Sequence, residues 1–292
     1  MGVDVRIVAY ARDKSQAETA CAAAFERFAE LDTIMSDYRP TSELMRLCAK
    51  AGGPPVKVSR DLYVVLRRAQ ELARLTDGRF DVTCSPVIRL WRAARKSAKL
   101  PDPTELKAAR DLVGWRMLEL DDRIKTVHLK RAGMQLDLGA IAKGYADDCA
   151  QKVLKRHGVT RALVEAGGDI VVTDPPPGEP GWRILVPNAT AGKAEPGSEE
   201  VPLLFSNCAI STSGDLEQSV VIDGKRYSHV IDARTGMPLT DRIQVTVVTR
   251  DGLTSDGLST AVSIMGSEKG RALAARYPKT RLYIRFANQD EK

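Results

Sequence analysis

One stretch of the sequence constrains the fold more than any other: MQLDLGAIAKGYADD, residues 134 to 148. Its first residues alternate as those of a half-buried β-strand do, and they run through Asp137 to Gly139. Apolar residues then recur at helical spacing from Ala140 to Ala150. Gly139 permits a sharp turn and lets another molecule approach the backbone closely. The stretch therefore predicts a strand, a glycine turn and a helix in direct succession.

The start of that helix is a candidate anion-binding site. The first N–H groups of a helix have no partner within it, and the helix dipole favours negative charge there, phosphate included. Lys143 would add a cation. The same pattern also fits an ordinary strand-to-helix joint with Lys143 in solvent, so the rest of the sequence has to decide.

Composition and charge narrow the class of protein. The 292 residues are 43% hydrophobic and 28% charged, which suits a globular chain with a full core and one large or two small domains. A net charge of +6 suits an anionic substrate but is too small for nucleic-acid binding, so no nucleic acid is expected as a partner. The densest basic run, RAARK at 92 to 96, is interpreted as a solvated helix face. Five cysteines without a CxxC motif indicate neither a disulfide framework nor a zinc site.

Hydrophobic periodicity elsewhere predicts an α+β protein. Helices are expected at residues 14 to 35, 60 to 76, from Ser85-Pro86 onward, 101 to 113 and 254 to 265. A short strand-like piece containing Asp81 is expected before Ser85, and two short strands are expected on either side of Gly167-Gly168. Hairpins are expected around Asp121-Asp122 and Asp223-Gly224, with His229 and Asp232 on the second arm of the latter.

Asp256 and Thr260 are four residues apart in the last predicted helix and therefore share one face. A carboxylate and a hydroxyl in that arrangement can both reach one small, hard cation. Spacing alone favours a structural interpretation, in which Asp256 interacts with the helix dipole and Thr260 bonds to its own i−4 carbonyl.

Taken together, these motifs resemble one family along nearly the whole chain, the FAD:protein FMN transferases, also called the ApbE or flavin transferase family. Seven blocks in the family's order carry the resemblance: MSDYRPTSEL at 35 to 44, RFDVTCSP at 79 to 86, LDLGAIAKGYADD at 136 to 148, VEAGGDI at 164 to 170, STSGD at 211 to 215, YSHVIDARTG at 227 to 236 and SDGLSTA at 255 to 261.

The resemblance implies a single ApbE-like domain over residues 1 to 292. Its sheets would be mixed and largely antiparallel with flanking helices, and FAD would occupy a cleft between two lobes. It also implies the residues that form the site: an FAD pocket of Met35, Tyr38, Arg79, Phe80, Asp81, Asp137, Lys143 and Ile231; magnesium ligands Asp256, Thr260 and the Ala140 carbonyl; and His229 as the catalytic base.

The implied reaction is magnesium-dependent transfer of the FMN half of FAD to a threonine or serine hydroxyl of an acceptor protein, with release of AMP. Two alternatives stay open: an FAD pyrophosphatase, in which water replaces the hydroxyl, and a non-enzymatic FAD-binding protein. The resemblance implies an acceptor in a membrane redox complex. If a signal or lipid anchor precedes Met1, the protein is expected in the periplasm or on the outer face of the inner membrane; otherwise it is expected in the cytoplasm.

Two positions depart from the family pattern. Gly257 replaces the usual alanine after Asp256, and Ala233 stands where proline is common before Arg234. Neither change removes a functional group. Glycine is expected to loosen the helix start by up to ~1 kcal/mol.

Overall fold

The computed structural model describes residues 2–187, 200–214 and 219–286. Helices and strands follow in this order: β1 (Val5–Tyr10), α1 (Lys14–Met35), α2 (Glu43–Cys48), β2 (Val56–Lys57), α3 (Arg60–Leu75), α4 (Ser85–Ser97), α5 (Pro103–Arg110), β3 (Leu118–Asp121), β4 (Thr126–Leu129), α6 (Ala142–Arg156), β5 (Arg161–Ala166), β6 (Asp169–Val172), β7 (Trp182–Pro187), β8 (Glu200–Phe205), β9 (Cys208–Gly214), β10 (Ser219–Ile222), β11 (Lys225–Ser228), β12 (Ile231–Asp232), β13 (Met237–Pro238), β14 (Ile243–Thr249), α7 (Gly252–Ala274) and β15 (Arg281–Phe286). Within these ranges, no helix combines the length and apolarity that a membrane crossing requires.

Within the described residues, the main sheet has six strands in the order β1-β5-β6-β9-β14-β15, and each neighbouring pair is antiparallel. β5 and β6 are joined by Gly167 and Gly168, whose φ angles of 55° and 87° are unfavourable for residues with a side chain. Strand residues alternate between the two faces of the sheet. Ala162 and Val164 face the helices, and Leu163 faces the β7-β8 hairpin on the other side.

The main core lies between this sheet and helices α1, α3, α6 and α7. A second apolar cluster joins α4 and α5 to the strands β10 to β12. Within it, the Trp91 and Tyr227 ring centroids are 5.1 Å apart, and the Trp91 indole donates a hydrogen bond to the Gly236 carbonyl at 2.9 Å. That bond fixes α4 against the turn that follows β12.

Helices α6 and α7 cross with their backbones in contact. A Cβ added at Gly144 would lie 2.0 Å from the Gly252 carbonyl oxygen, so only glycine fits there. On α6, the Asp148 carboxylate accepts hydrogen bonds from Gly252 N at 2.7 Å and Leu253 N at 3.1 Å, at the start of α7. Asp251 caps this same start of α7. The crossing brings the start of α6 close to Asp256.

The α+β class and its antiparallel sheets are confirmed, but several local predictions were wrong. Residues 134 to 138 are buried except for half-buried Gln135, yet they form no strand ladder; Asp137 N donates instead to the Val82 carbonyl at 2.8 Å. The helix that follows begins at Ala142 rather than Ala140. Asp81 precedes a turn of 3₁₀-helix, Val82–Cys84, rather than lying in a strand-like piece.

The Asp223-Gly224 hairpin forms as predicted between β10 and β11. Its second arm ends at Ser228, however, so His229 and Asp232 are not on it. At Ser228, which still pairs with Ser219 of β10, the chain also contacts a different segment, because Ser228 N donates to the Leu239 carbonyl at 2.9 Å. His229 therefore lies in the short connection between β11 and β12.

Candidate active site

A cleft with a volume of about 750 Å³ opens beside the start of α6. All of the predicted site residues line it except Arg79. The cleft contains Met35, Tyr38, Phe80, Asp81, Asp137, Ala140, Lys143, His229, Ile231, Asp256 and Thr260. The extended segment before α6, the β11-β12 connection and the first turns of α7 therefore meet at one place.

Asp137 shapes the turn into α6. One carboxylate oxygen accepts a hydrogen bond from Gly139 N at 2.8 Å, and the other accepts from the Arg92 guanidinium at 2.6 Å. The second guanidinium nitrogen of Arg92 contacts Asp37 at 2.7 Å, and its centre lies 5.0 Å from the Tyr38 ring centroid. Burial raises the pKa of Asp137, while the charge of Arg92 opposes that rise. Arg92 thus joins three parts of the cleft wall.

Lys143 points into the cleft rather than into solvent. Its ammonium group lies 3.0 Å from Asp169 and 3.4 Å from Asp256, and it donates to the Gly139 carbonyl at 2.9 Å. The contact with Asp169 is an ion pair rather than an aligned hydrogen bond. Burial alone would lower the pKa of Lys143, but the two carboxylates outweigh it and raise the pKa. Lys143 is therefore a permanent cation here.

Asp256 is buried and contacts the first turn of α6, where one of its oxygens accepts from Gly144 N at 3.0 Å. Burial and the neighbouring Asp169 carboxylate raise the pKa of Asp256 to about 7. The purely structural interpretations of Asp256 and Thr260 do not hold. Asp251, and not Asp256, is the acidic side chain at the start of α7, where it caps the helix. The Thr260 hydroxyl bonds to Ser213 at 3.3 Å rather than to its i−4 carbonyl. Both side chains face the cleft.

The donor set around Asp256 fits a hard cation. Its carboxylate and the Thr260 hydroxyl face the cleft from one helix, and Ala140 lines the cleft beside them. All the donor atoms are oxygens, as magnesium prefers. In the described part of the chain, no group of three or more His, Cys, Asp or Glu side chains could hold a metal, so magnesium here would complete its coordination with water or substrate oxygens.

His229 is half-buried on the cleft wall. The residues on either side of it are fixed by the backbone of Leu239: Ser228 N donates to the Leu239 carbonyl, and Leu239 N donates to the Val230 carbonyl, both at 2.9 Å. Val230 N also donates to the Ser228 hydroxyl at 3.0 Å. The imidazole is thus carried by a rigid loop, which suits a group that must hold one position.

Asp81 and three apolar side chains complete the wall. Both the backbone N–H and the hydroxyl of Thr83 donate to one Asp81 oxygen at 2.8 Å. Burial nevertheless raises the pKa of Asp81 to about 6, because these bonds only partly compensate it. Met35, Phe80 and Ile231 are almost fully buried and make this part of the cleft apolar.

Comparison with known proteins agrees with this geometry. The ApbE family model matches residues 1–284. The chain belongs to the ApbE family. Its relatives include the FAD:protein FMN transferase of Treponema pallidum, 33% identical over 95% of this chain and 80% of the relative, and that of Klebsiella pneumoniae, 31% identical over 93% and 82%.

Solved ApbE structures also superpose on nearly the whole chain. The flavin transferase ApbE from Vibrio cholerae has a TM-score of 0.86 at 30% identity, covering 99% of this chain and 92% of that structure. The ApbE protein from Thermotoga maritima has a TM-score of 0.82 at 30% identity, covering 98% and 91%.

Arg79 is the one predicted pocket residue that this ApbE-family cleft does not include. Its guanidinium pairs with Asp232 at 3.0 Å, and its carbonyl accepts from Ala233 N at 3.0 Å. Arg79 therefore ties the segment carrying Phe80 to the segment carrying Ile231.

The sequence did not identify several further lining residues, among them Asp37, Arg92, Arg95, Asp169 and Ser213. Arg92 was interpreted as part of a solvated face, which was wrong, since only the fold brings Asp37 and Asp137 to it. Asp169 follows the Gly167-Gly168 pair directly, and a carboxylate after two glycines was the signal available for it. Asp215, within the STSGD block, lies outside the described residues.

Proposed function

We propose that this protein transfers the FMN half of FAD to a threonine or serine hydroxyl of an acceptor protein and releases AMP. The observation that carries the proposal is the convergence, in one cleft of an ApbE-family chain, of the His229 imidazole, the Lys143 ammonium and the oxygen donors of Asp256 and Thr260. The names of the relatives support the same reaction.

The reaction exchanges one phosphoester partner for another. The acceptor hydroxyl oxygen forms a bond to the FMN phosphorus, and the bond from that phosphorus to the bridging oxygen breaks. The bridging oxygen leaves with AMP as a phosphate oxygen and needs no added proton. His229 accepts the proton of the incoming hydroxyl, a role that suits an imidazole because it titrates near neutrality.

The remaining side chains bind and orient FAD. Lys143 supplies a fixed positive charge near the diphosphate, and its two carboxylate partners hold it there. Met35, Phe80 and Ile231 offer apolar contact to a ring system and exclude water. Asp256, Thr260 and the Ala140 carbonyl would hold magnesium. When bound, magnesium would neutralise diphosphate charge and help to orient it.

Incubation of FAD and magnesium with and without an acceptor protein tests the proposal. Protein-bound flavin that survives denaturation, together with AMP, is the expected result. Free FMN and AMP in equal amounts whether or not acceptor is present would mean that water is the acceptor and the protein is a pyrophosphatase. Unchanged FAD would mean that the protein only binds it.

The acceptor is proposed to be a subunit of a membrane redox complex, by the resemblance already described. An acceptor with its flavin site outside the inner membrane would require this protein to work in the periplasm or anchored to the outer face of that membrane. Fractionation of cells carrying the full-length gene product tests this location directly, and recovery with the cytoplasmic fraction would contradict it.

A further inference from the structure

Arg95 is the cationic group of the cleft that the proposed reaction leaves without a role. It lies on α4, lines the cleft and is half-buried. Among the described residues, its guanidinium makes no hydrogen bond or ion pair, whereas Arg92 and Lys143 each hold two carboxylates. Burial lowers the pKa of Arg95, and the charge of Arg92 acts in the same direction. A desolvated guanidinium beside another is costly unless an anion joins it.

Two more cations stand at the end of α4, outside the residues that line the cleft. Lys96 and Lys99 follow Arg95 and are exposed. The nearest acidic residue along the chain, Asp102, is already occupied, because it accepts from Thr104 N and Glu105 N to cap α5. We call these three residues, Arg95, Lys96 and Lys99, the α4 basic surface.

The helix dipole explains only part of this surface. Cations are favoured in the last turn of a helix, where Arg95 and Lys96 lie. Lys99 lies beyond the end of the helix at Ser97, and the dipole gives no reason for Arg95 to be half-buried in the cleft wall. A solvated helix end would leave its cations in water.

The chemistry of FAD indicates where the missing anion comes from. The anionic group of FAD is its diphosphate, which the proposed function assigns to the part of the cleft around Lys143, Asp256 and Thr260. An anion that pairs with Arg95, and that also meets exposed Lys96 and Lys99, approaches from outside the cleft. The acceptor protein has to approach from there, because its hydroxyl must reach bound FAD.

We propose that the α4 basic surface binds an acidic segment of the acceptor protein, close to the hydroxyl that receives FMN. The proposal rests on the proposed function, since it assumes a protein acceptor. It goes further by giving the acceptor a chemical property: Asp or Glu residues adjacent in space to the modified threonine or serine.

A binding experiment tests this without requiring transfer. The probe is a fluorescently labelled synthetic peptide that contains one threonine and a run of glutamates, compared with the same peptide carrying glutamines. Fluorescence anisotropy measures its dissociation constant for the full-length protein, with and without FAD, at low and high salt. We expect the glutamate peptide to bind roughly ten-fold more tightly at low salt, with the difference shrinking as salt screens the charges.

Charge reversal locates the effect. Lys96→Glu/Lys99→Glu should reduce the preference for the glutamate peptide and leave FAD affinity unchanged, because neither side chain lines the cleft. Adding Arg95→Glu should abolish the preference. Either single reversal, Lys96→Glu or Lys99→Glu, should reduce the preference in part. Lys107→Glu, at an exposed position on the neighbouring helix α5, changes the net charge by the same amount as either one and is their matched control, so it should retain the preference.

Three outcomes would overturn the proposal. Equal affinity for the two peptides, including no binding of either, would show that the surface does not recognise acidic chain. An equal loss in the Lys107→Glu control would show a general charge effect. If Arg95→Glu weakens FAD binding as much as peptide binding, the anion is the FAD diphosphate. Failure of the proposed function would be visible separately, as absence of flavin transfer in the acceptor assay.

Discussion

Arg92 and Lys143 each bring together two carboxylates that would otherwise repel one another. Arg92 joins Asp37 to Asp137, and Lys143 joins Asp169 to Asp256. Ion pairs of this kind, partly removed from water, position groups more than they stabilise the fold. They keep a cleft with many acidic groups able to accept a substrate that is itself negatively charged.

His229 is predicted to act in the chemical step and not in FAD binding. His229→Ala should keep FAD affinity and lose transfer by about 100-fold or more, the usual contribution of a general base. Transfer at saturating acceptor and FAD binding by titration separate the two effects. His128→Ala is the matched control, because His128 lies on β4 away from the cleft and pairs with Glu119 at 3.5 Å. Unchanged turnover in His229→Ala would exclude the proposed role.

Asp81 is predicted to make stability fall as pH rises through the mildly acidic range. Burial raises its folded-state pKa to about 6, above the value of about 3.9 for an unfolded chain. The folded state therefore binds more protons between these values, and the stabilisation present below about pH 4 is lost by about pH 6. The effect should be at most roughly 3 kcal/mol. Urea unfolding of the wild type and Asp81→Asn across this range measures it; parallel curves would contradict the prediction.

At the scale of helices and strands, the sequence predicted most elements because their periodicity is local. α1 and α3 were expected at residues 14 to 35 and 60 to 76 and lie at Lys14–Met35 and Arg60–Leu75. The segment at 134 to 138 failed for a tertiary reason. Its alternation reflects burial in the core, but no neighbouring strand pairs with it, so an extended segment looks like a strand without being one.

Only part of the site could be predicted from the sequence, again because the rest depends on tertiary contacts. Among the residues in motifs, His229 was found because the resemblance names it, whereas Lys143 was singled out by the predicted helix start before the resemblance named it as well. Arg92 and Arg95 belong to no such motif, and their periodicity on α4 is that of any surface helix. Their place in the cleft depends on how α4 packs through Trp91 on Gly236, a contact between residues far apart in sequence.

The two departures from the family pattern gain a physical meaning from the packing. A Cβ at Gly257 would lie 2.6 Å from Leu72 Cδ1, so glycine lets α3 approach α7 closely. The Ala233 N–H bonds to the Arg79 carbonyl at 3.0 Å, which proline could not do because it has no N–H. Both replacements therefore fit contacts that neighbouring residues make in this chain.

The crossing of α6 and α7 is predicted to depend on Gly144. Gly144→Ala would place a Cβ 2.0 Å from the Gly252 carbonyl oxygen, and backbone cannot move aside as a side chain can. Unfolding free energy should fall by roughly 3 kcal/mol or more, as for severe overpacking. Gly257→Ala is the comparison, since its Cβ meets the mobile end of Leu72, and its cost should be clearly smaller. Equal losses in urea unfolding would show that the crossing is not the tight point.

At the scale of the whole molecule, the cleft collects residues from distant parts of the chain. Tyr38, Lys143 and Thr260 come from its first, middle and last thirds, and all line the same space. A ligand bound there contacts both the elements that form the main core and helix α4, which belongs to the second apolar cluster. Binding should therefore stabilise the molecule as a unit.

The last prediction uses that linkage to test the metal site without measuring activity. FAD at about 100 times its dissociation constant should raise the unfolding free energy by about 2.7 kcal/mol, and magnesium should raise it further if it binds with FAD. Asp256→Asn keeps an oxygen for the Gly144 N–H but removes the charge, so the magnesium increment should disappear while most of the FAD increment remains. Asp251→Asn, which alters the cap of the same helix, is the control and should keep both increments at whatever basal stability it has. Urea unfolding followed by circular dichroism, with FAD and magnesium added singly and together, measures all four values. An unchanged magnesium increment in Asp256→Asn would remove Asp256 from the proposed metal site and leave it as the side chain that joins α7 to the start of α6.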